Sequence, residues 1–385
     1  MNKYNFDNVA NRRNTSSLKW NVLNNELPMW VADMDFKTLP EVCDVLKKRI
    51  NIGAFGYSEV NDEYFKAYVD WWKRRHNVKI SINNLAFSCG VIASLDVILK
   101  TLFKKNDKIM LFSPNYNVFY SCIKNNNMTL LPYDLEYEDY TYKFDLSKIE
   151  AFIKINKPKG LILCNPHNPI GKIFTKHEID ELLRISNENN VLIISDEIHC
   201  DIVKPGCRYY SVLNNKKYNN VIALLSPTKS FNLAGLHTSA VCSFNKELLT
   251  KIQNALYKED VGEPNFFATY AAIAAYNYGD EYIDELNVYI ENNKRYLTNF
   301  INNEIPLLHV VNSDATYLIW IDVSNTPLDG DRFTFELRKE TGLYVSNGSQ
   351  YGKNGKQFIR INVATSFNNV KECAKRLKSF MEKIK

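Results

Sequence analysis

Between Leu85 and Phe244 the chain repeats one pattern, a short and continuously apolar run followed by a longer amphipathic stretch. The runs are LAFS, KIMLF, MTLL, GLILCN, VLIIS, VIALLS and SAVCSF. A strand with one wet face alternates apolar and polar side chains, whereas a strand covered on both faces has no need to. Runs without alternation, separated by helix-length segments, therefore predict an α/β fold: a mostly parallel seven-stranded sheet between helices. The separators read as helices. GVIASLDVILKTLFKK places apolar residues at helical spacing, and TKHEIDELLRISNEN opens with Thr175 three residues before Glu178, a capping box.

Beyond Lys246 come two long helical stretches, and then ATYLIWID, GLYVSNG and QFIRINV restart a strand pattern. This predicts a smaller α+β domain over 290–385, after a large domain over 50–289. Residues 1–49 form no complete unit and are expected to pack across the junction. The chain is long enough, at 385 residues, to bury both cores.

Composition narrows the function. A formal charge of +5 is small for this length, and basic stretches such as WWKRRHNVK are matched by acidic ones such as DLEYEDY. No basic stripe points to nucleic acid. No run reaches the roughly 18 apolar residues of a membrane span. The N-terminus lacks the apolar core of a secretion signal. The eight cysteines are scattered without a CxxC, which fits reduced thiols in a cytoplasmic protein and no metal site.

In an open α/β sheet, ligands gather at the carboxyl ends of the strands. Four runs end in polar residues: IMLFSPNYN at Tyr116, LILCNPHNPIG at Asn165 to Gly171, VLIISDEIH at Asp196 and His199, and VIALLSPTK at Ser226, Thr228 and Lys229. There is no GxGxxG, no GxxxxGK[ST], no HExxH and no GxSxG, so the common dinucleotide, P-loop, zinc-protease and serine-hydrolase signatures are missing. What remains is a lysine suited to capturing an electrophile.

That set fits pyridoxal 5'-phosphate. Lys229 would form a Schiff base with the aldehyde, Asp196 would keep the pyridine nitrogen protonated, Asn168 would donate to the 3-oxygen, and Tyr116 would stack on the ring. Ser226 and Thr228 would hold the phosphate together with the N–H groups that start a helix at Gly90, Val91 and Ile92. Each residue also has a plainer reading. Lys229 is a surface lysine, Asp196 a strand-end cap, NPHNPIG a turn, Tyr116 a packing ring and His199 a satisfied, partly buried histidine. Only their order and joint placement favour the cofactor.

The ordered segments SLKWN, LPMWVADMDF, FGY, NPHNPIG, SDEIH, TKSFNLAGLH and FIRINVA cover the whole chain. In these the sequence resembles the fold-type I pyridoxal-phosphate enzymes of the class I/II aminotransferase superfamily, and within it the MalY/PatB group of carbon–sulfur β-lyases. The resemblance implies Lys229 as the catalytic Schiff-base lysine and Arg360 as the clamp on the substrate α-carboxylate. It places Val31 and Ala32 at the substrate and leaves Trp30 either restricting the distal group or in the core. Tyr57 would reach the phosphate of a neighbouring subunit, implying a homodimer with shared active sites.

The implied reaction is α,β-elimination of L-cystathionine or a related S-conjugate to a thiol, pyruvate and ammonia. Transamination of an L-amino acid is the alternative. A regulator-protein partner is implied by family analogy only. Two positions depart from the wider pattern: His237 stands where many members place a phosphate-binding arginine, and His199 where many place a tyrosine.

Overall fold

The computed structural model describes residues 3–384. A short strand, β1 (Leu27–Pro28), precedes β2 (Leu85–Ser88), β3 (Lys108–Ser113) and β4 (Thr129–Asp134). A hairpin of β5 (Glu136–Glu138) and β6 (Thr141–Lys143) follows, and then β7 (Gly160–Cys164), β8 (Leu192–Asp196), β9 (Val221–Leu225) and β10 (Ser239–Cys242). The seven predicted runs supply the seven strands of one sheet, in the order β2-β10-β9-β8-β7-β3-β4. Pairing is parallel from β4 through to β9.

Strand β10 runs antiparallel to both its neighbours. The link from β9 holds no helix beyond the short turn Ala234–Leu236, and a parallel return needs a crossover that is usually helical.

Continuous apolarity matches burial in the middle of the sheet, where every residue of β7 and β9 is buried. Leu161 and Leu163 face one core, and Ile162 and Cys164 the other. Helices Val91–Leu102, Asn117–Asn125 and Lys246–Lys258 cover the second face through Leu95, Phe119 and Ile252. The first face is closed by Asp62–His76, Lys176–Glu188 and Ala268–Tyr278 through Trp71, Leu182 and Ala271. Each large apolar side chain of this set contributes roughly 1.5–3 kcal/mol by leaving water. Edge strand β4 is only partly covered, so its apolar run gives no guide to its exposure. The predicted cap is present: Thr175 Oγ1 accepts from Glu178 N–H at 3.1 Å, and the Glu178 carboxylate accepts from Thr175 N–H at 2.7 Å.

The C-terminal strands are β11 (His309–Val310), β12 (Leu318–Asp322), β13 (Leu343–Tyr344), β14 (Ser346–Asn347) and β15 (Phe358–Asn362). Four of them form an antiparallel sheet in the order β11-β12-β15-β14. Helices Gly330–Thr341 and Phe367–Lys383 pack on it through Phe333, Leu337, Leu377 and Phe380. Helix Asp280–Glu304 passes residue 290 without a break, giving Leu286 and Ile290 to the large-sheet core and Leu297 and Ile301 to the smaller one. Among the described residues no helix is long and apolar enough to cross a membrane.

The segment ahead of Pro40 has little regular structure and is held by polar contacts. Strand β1 pairs with β13, Leu27 opposite Leu343. The ammonium of Lys19 lies 3.0 Å from Asp35 Oδ1, both side chains buried, and Trp20 Nε1 donates to the same oxygen at 2.7 Å. The main chain is tied to β15 and its continuation. Asn362 Nδ2 donates to Val31 O at 2.6 Å and Asp33 O at 2.8 Å, while Asp35 N–H donates to Ala364 O at 2.9 Å.

Candidate active site

The carboxyl ends of β3, β7, β8 and β9 open into a cavity of about 660 Å³. Its floor comes from the large sheet and its walls from the N-terminal segment and the residues around β14 and β15. Gly90, Val91, Ile92, Tyr116, Asn168, Asp196, His199 and Lys229 all line it, as do Val31, Ala32 and Arg360. Trp30 and His237 line it too, so Trp30 belongs to the wall of the cavity.

Three predicted residues lie apart from this lining. Ser226 and Thr228 are buried and committed to one another: their hydroxyls are 2.8 Å apart, and Ser226 Oγ also donates to Thr238 O at 2.8 Å. Tyr57 is fully exposed and lines a separate cleft beside Glu263 and Pro264.

Lys229 follows β9, and its Nζ donates to the carbonyl of Ala32 at 2.5 Å. Tyr317 Oη donates to the same oxygen at 3.1 Å. Burial lowers the pKa of the amine and Arg360 lowers it further, while Asp33 and Asp196 act against the shift. Asp196 ends β8. Its Oδ1 accepts from Ile198 N–H at 3.0 Å, and burial pushes its pKa up to about 7 despite that bond and the nearby Lys229.

His199 is neutral, its pKa held down at about 3 by burial and then by Lys229 and Arg360. Its Nδ1 is buried without a partner, and its ring meets Tyr317 edge-on at 5.9 Å.

Arg360 sits on β15 opposite Trp320 of β12 and Ser346 of β14. It donates from Nη1 to Asn168 Oδ1 at 3.0 Å and from Nη2 to Trp30 O at 2.8 Å, while its buried Nε has no partner. Gly90 precedes the helix Val91–Leu102, and a Cβ built there meets no protein atom within 4 Å. The first N–H groups of a helix have no partner within it. The cavity therefore offers an anion-binding end, a flat ring at Tyr116, a carboxylate in want of a cation, an amine and a guanidinium with a spare edge. This donor set fits a planar, phosphorylated, cationic heterocycle.

Sequence reasoning missed Gln350, Tyr351 and Tyr317. Gln350 and Tyr351 line the cavity, and the Tyr351 carbonyl accepts from Tyr120 Oη and Asn115 N–H, both at 2.7 Å. The only signal near them is the glycine spacing of NGSQYGKNG, which marks a turn. One cluster of metal-ligating side chains among the described residues, His76, Cys200 and Asp201, lies elsewhere. Its carboxylate already accepts from Trp71 Nε1 at 3.0 Å and Ser230 Oγ at 2.8 Å, with His76 Nε2 at 2.8 Å.

Comparison with known proteins brings these features together. Residues 28–377 match the family model described as aminotransferase class I and II. Cystathionine beta-lyase PatB of Bacillus subtilis is 30% identical, over 97% of this chain and 99% of its own. A pyridoxal-phosphate-bound protein of Clostridium difficile, provisionally described as an aminotransferase, superposes with a TM-score of 0.94 at 36% identity, over 98% of this chain and 100% of that one. The pyridoxal-phosphate-bound C-S lyase of Staphylococcus hominis gives 0.91 at 30% identity, over 99% of each.

Proposed function

Because the chain belongs to the class I and II aminotransferase family, we propose that it is a pyridoxal-phosphate-dependent carbon–sulfur β-lyase. Its substrates would be S-substituted cysteines, L-cystathionine first, cleaved to a thiol, pyruvate and ammonia. The observation that carries the cofactor part of this reading is the buried carboxylate of Asp196 in one cavity with an amine and a guanidinium. A carboxylate so desolvated is costly until a cation meets it, and a protonated pyridine is such a cation. The names of the Bacillus and Staphylococcus relatives support elimination as the outcome.

Asp196 would hold the ring nitrogen, Asn168 the 3-oxygen and Tyr116 the ring face. The N–H groups at Gly90, Val91 and Ile92 would hold the phosphate. Ser226 and Thr228 would join them only by giving up the bonds within their own pair. When bound, pyridoxal phosphate supplies an aldehyde that captures amines and a ring that withdraws electrons from the substrate Cα.

The chain's own residues do the rest. Arg360, its plane fixed by Asn168 and Trp30, presents its remaining N–H groups to the substrate α-carboxylate and so orients Cα. Lys229 Nζ, kept more readily neutral by burial, takes the Cα proton. The Ala32 carbonyl then receives a hydrogen bond from the resulting ammonium, and Tyr317 holds that carbonyl in place. Neutral His199 keeps a third positive charge out of the site. Trp30 and Val31 shield the reacting atoms from water.

We further take residues 50–289 as the cofactor domain, 290–385 as the smaller domain and 1–49 as the segment that closes the entrance. Assembly would be a cytoplasmic homodimer in which the exposed Tyr57 reaches the phosphate of the neighbouring site.

Transamination has on its side the description of the matching family model and the provisional description of the Clostridium relative as an aminotransferase, and it uses the same residues while leaving the Cβ–S bond intact. Product analysis separates the two. Protein loaded with pyridoxal phosphate and given L-cystathionine without a keto acid is expected to release pyruvate and homocysteine in equal, sustained amounts. Release of neither, with amino transfer once a keto acid is added, would overturn the lyase reading.

A further inference from the structure

Arg360 is buried, and the two groups that accept from it, Asn168 Oδ1 and the Trp30 carbonyl, are both neutral. A cation taken out of water needs compensation from its surroundings. The face of Tyr351 supplies some of it: the guanidinium carbon of Arg360 lies over that ring, 4.7 Å from its centroid. A guanidinium within about 6 Å of an aromatic face is attracted by the negative face of the ring quadrupole, more strongly where water is excluded. Tyr351 is 1% exposed, and both residues line the cavity that holds Lys229. A carboxylate in the place of the ring would occupy the N–H groups that a substrate needs, whereas a ring face leaves them open.

The ring is itself held from two sides. Trp320, opposite Arg360 in the pairing of β12 with β15, meets Tyr351 edge-on, with centroids 5.5 Å apart and planes at 87°. On the main-chain side, the bonds from Tyr120 and Asn115 to the Tyr351 carbonyl are extended by Asn354, whose Nδ2 donates to Ser113 O at 2.8 Å and whose Oδ1 accepts from Ser113 Oγ at 2.8 Å. Gly352, at a φ of +132°, permits this approach, since a Cβ there would lie 2.3 Å from Ser113 Oγ and 2.7 Å from Tyr120 Oη. The turn that brings Tyr116 to the cavity is thereby fastened to the loop that brings Tyr351 to Arg360. Tyr120 stands outside the cavity lining.

From this we propose that Tyr351 is a positioning residue for substrate binding: its ring face holds the Arg360 fork open toward the α-carboxylate, and Tyr120 holds Tyr351 from outside the cavity. The inference rests on the reading of Arg360 as the carboxylate clamp and is independent of what happens at Cβ afterwards.

The test reads equilibrium binding of L-alanine, which carries the α-carboxylate and no leaving group, through the cofactor absorbance of the holoenzyme. The dissociation constant for pyridoxal phosphate is measured alongside. Tyr351→Phe keeps the ring face and should leave the Kd for L-alanine within about twofold of wild type. Replacement of Tyr351 by pentafluorophenylalanine keeps the shape and inverts the quadrupole, so that Kd should rise roughly three- to thirtyfold while the affinity for pyridoxal phosphate is unchanged. Tyr120→Phe should raise the Kd for L-alanine about threefold. Ethylamine, which lacks the carboxylate, should bind all these proteins alike. Equal affinity for L-alanine in the phenylalanine and pentafluorophenylalanine proteins overturns the proposal, as does an equal loss for ethylamine. Arg360→Met that binds L-alanine as tightly as wild type sinks the clamp reading and this inference with it. Pyruvate is not the readout, so a failure of the lyase reading alone leaves the result standing.

Discussion

Asp196→Asn should stabilise the protein stripped of its cofactor while weakening its hold on that cofactor. Folding moves the Asp196 carboxyl from its ordinary 3.8 to about 7, mainly through burial. A carboxyl whose folded pKa is raised binds more protons folded than unfolded, so its contribution to stability is whole below 3.8 and is lost as pH rises to 7. At 1.36 kcal/mol per pH unit the full loss is about 4 kcal/mol.

Asparagine cannot ionise, so in urea titrations of the stripped proteins the variant should be more stable than wild type by about 4 kcal/mol at pH 8 and about 2 kcal/mol at pH 5, with the difference vanishing below pH 3.8. Part of the gain at pH 8 is returned, because Asp196 also supports the charge on Lys229. With cofactor added the order should reverse, since a buried cation would lose its partner at a cost of about 3–5 kcal/mol. Equal stability of the two stripped proteins at pH 8, or a gain independent of pH, would refute the reasoning.

Other outcomes follow from single contacts. Arg360→Lys keeps the charge and loses the fork, so kcat/KM for amino-acid substrates should fall roughly 10- to 100-fold while cofactor absorbance is retained. Lys19→Met leaves buried Asp35 without its ion pair, and urea unfolding should show a loss of about 3–5 kcal/mol. Gly171→Ala forces a side chain onto a φ of +69° and into Ser313, for an expected loss of roughly 2–5 kcal/mol in the same assay.

The sheet was legible because buried parallel strands dispense with alternation, and all seven runs became strands. The direction of β10 was not, since an apolar run looks the same whichever way it is read. The missing helix between Leu225 and Ser239 was the only hint. Lys229, Asp196, Asn168 and Tyr116 could be found together because the ends of adjacent parallel strands open on the same side. Ser226 and Thr228 share that strand end, yet their hydroxyls turn to each other and to Thr238, a neighbour created by the antiparallel return. Tyr317 and Gln350 escaped notice because their roles depend on two sheets meeting, which no local pattern encodes. Trp30 could be read either as core or as entrance, and the structure puts it in the lining of the cavity.

The polar ties between the N-terminal segment and β15 have a consequence for synthesis on the ribosome. Trp30 and Val31 emerge early, but the side chains that bind their carbonyls, Arg360 and Asn362, lie 330 and 331 positions later. Chain growth runs at about 5–20 residues per second. The wall of the cavity therefore waits for residues 360 and 362 to be translated. A polypeptide terminated before residue 360, even one carrying Lys229, Asp196 and Asn168, lacks the side chains that hold this wall of the pocket.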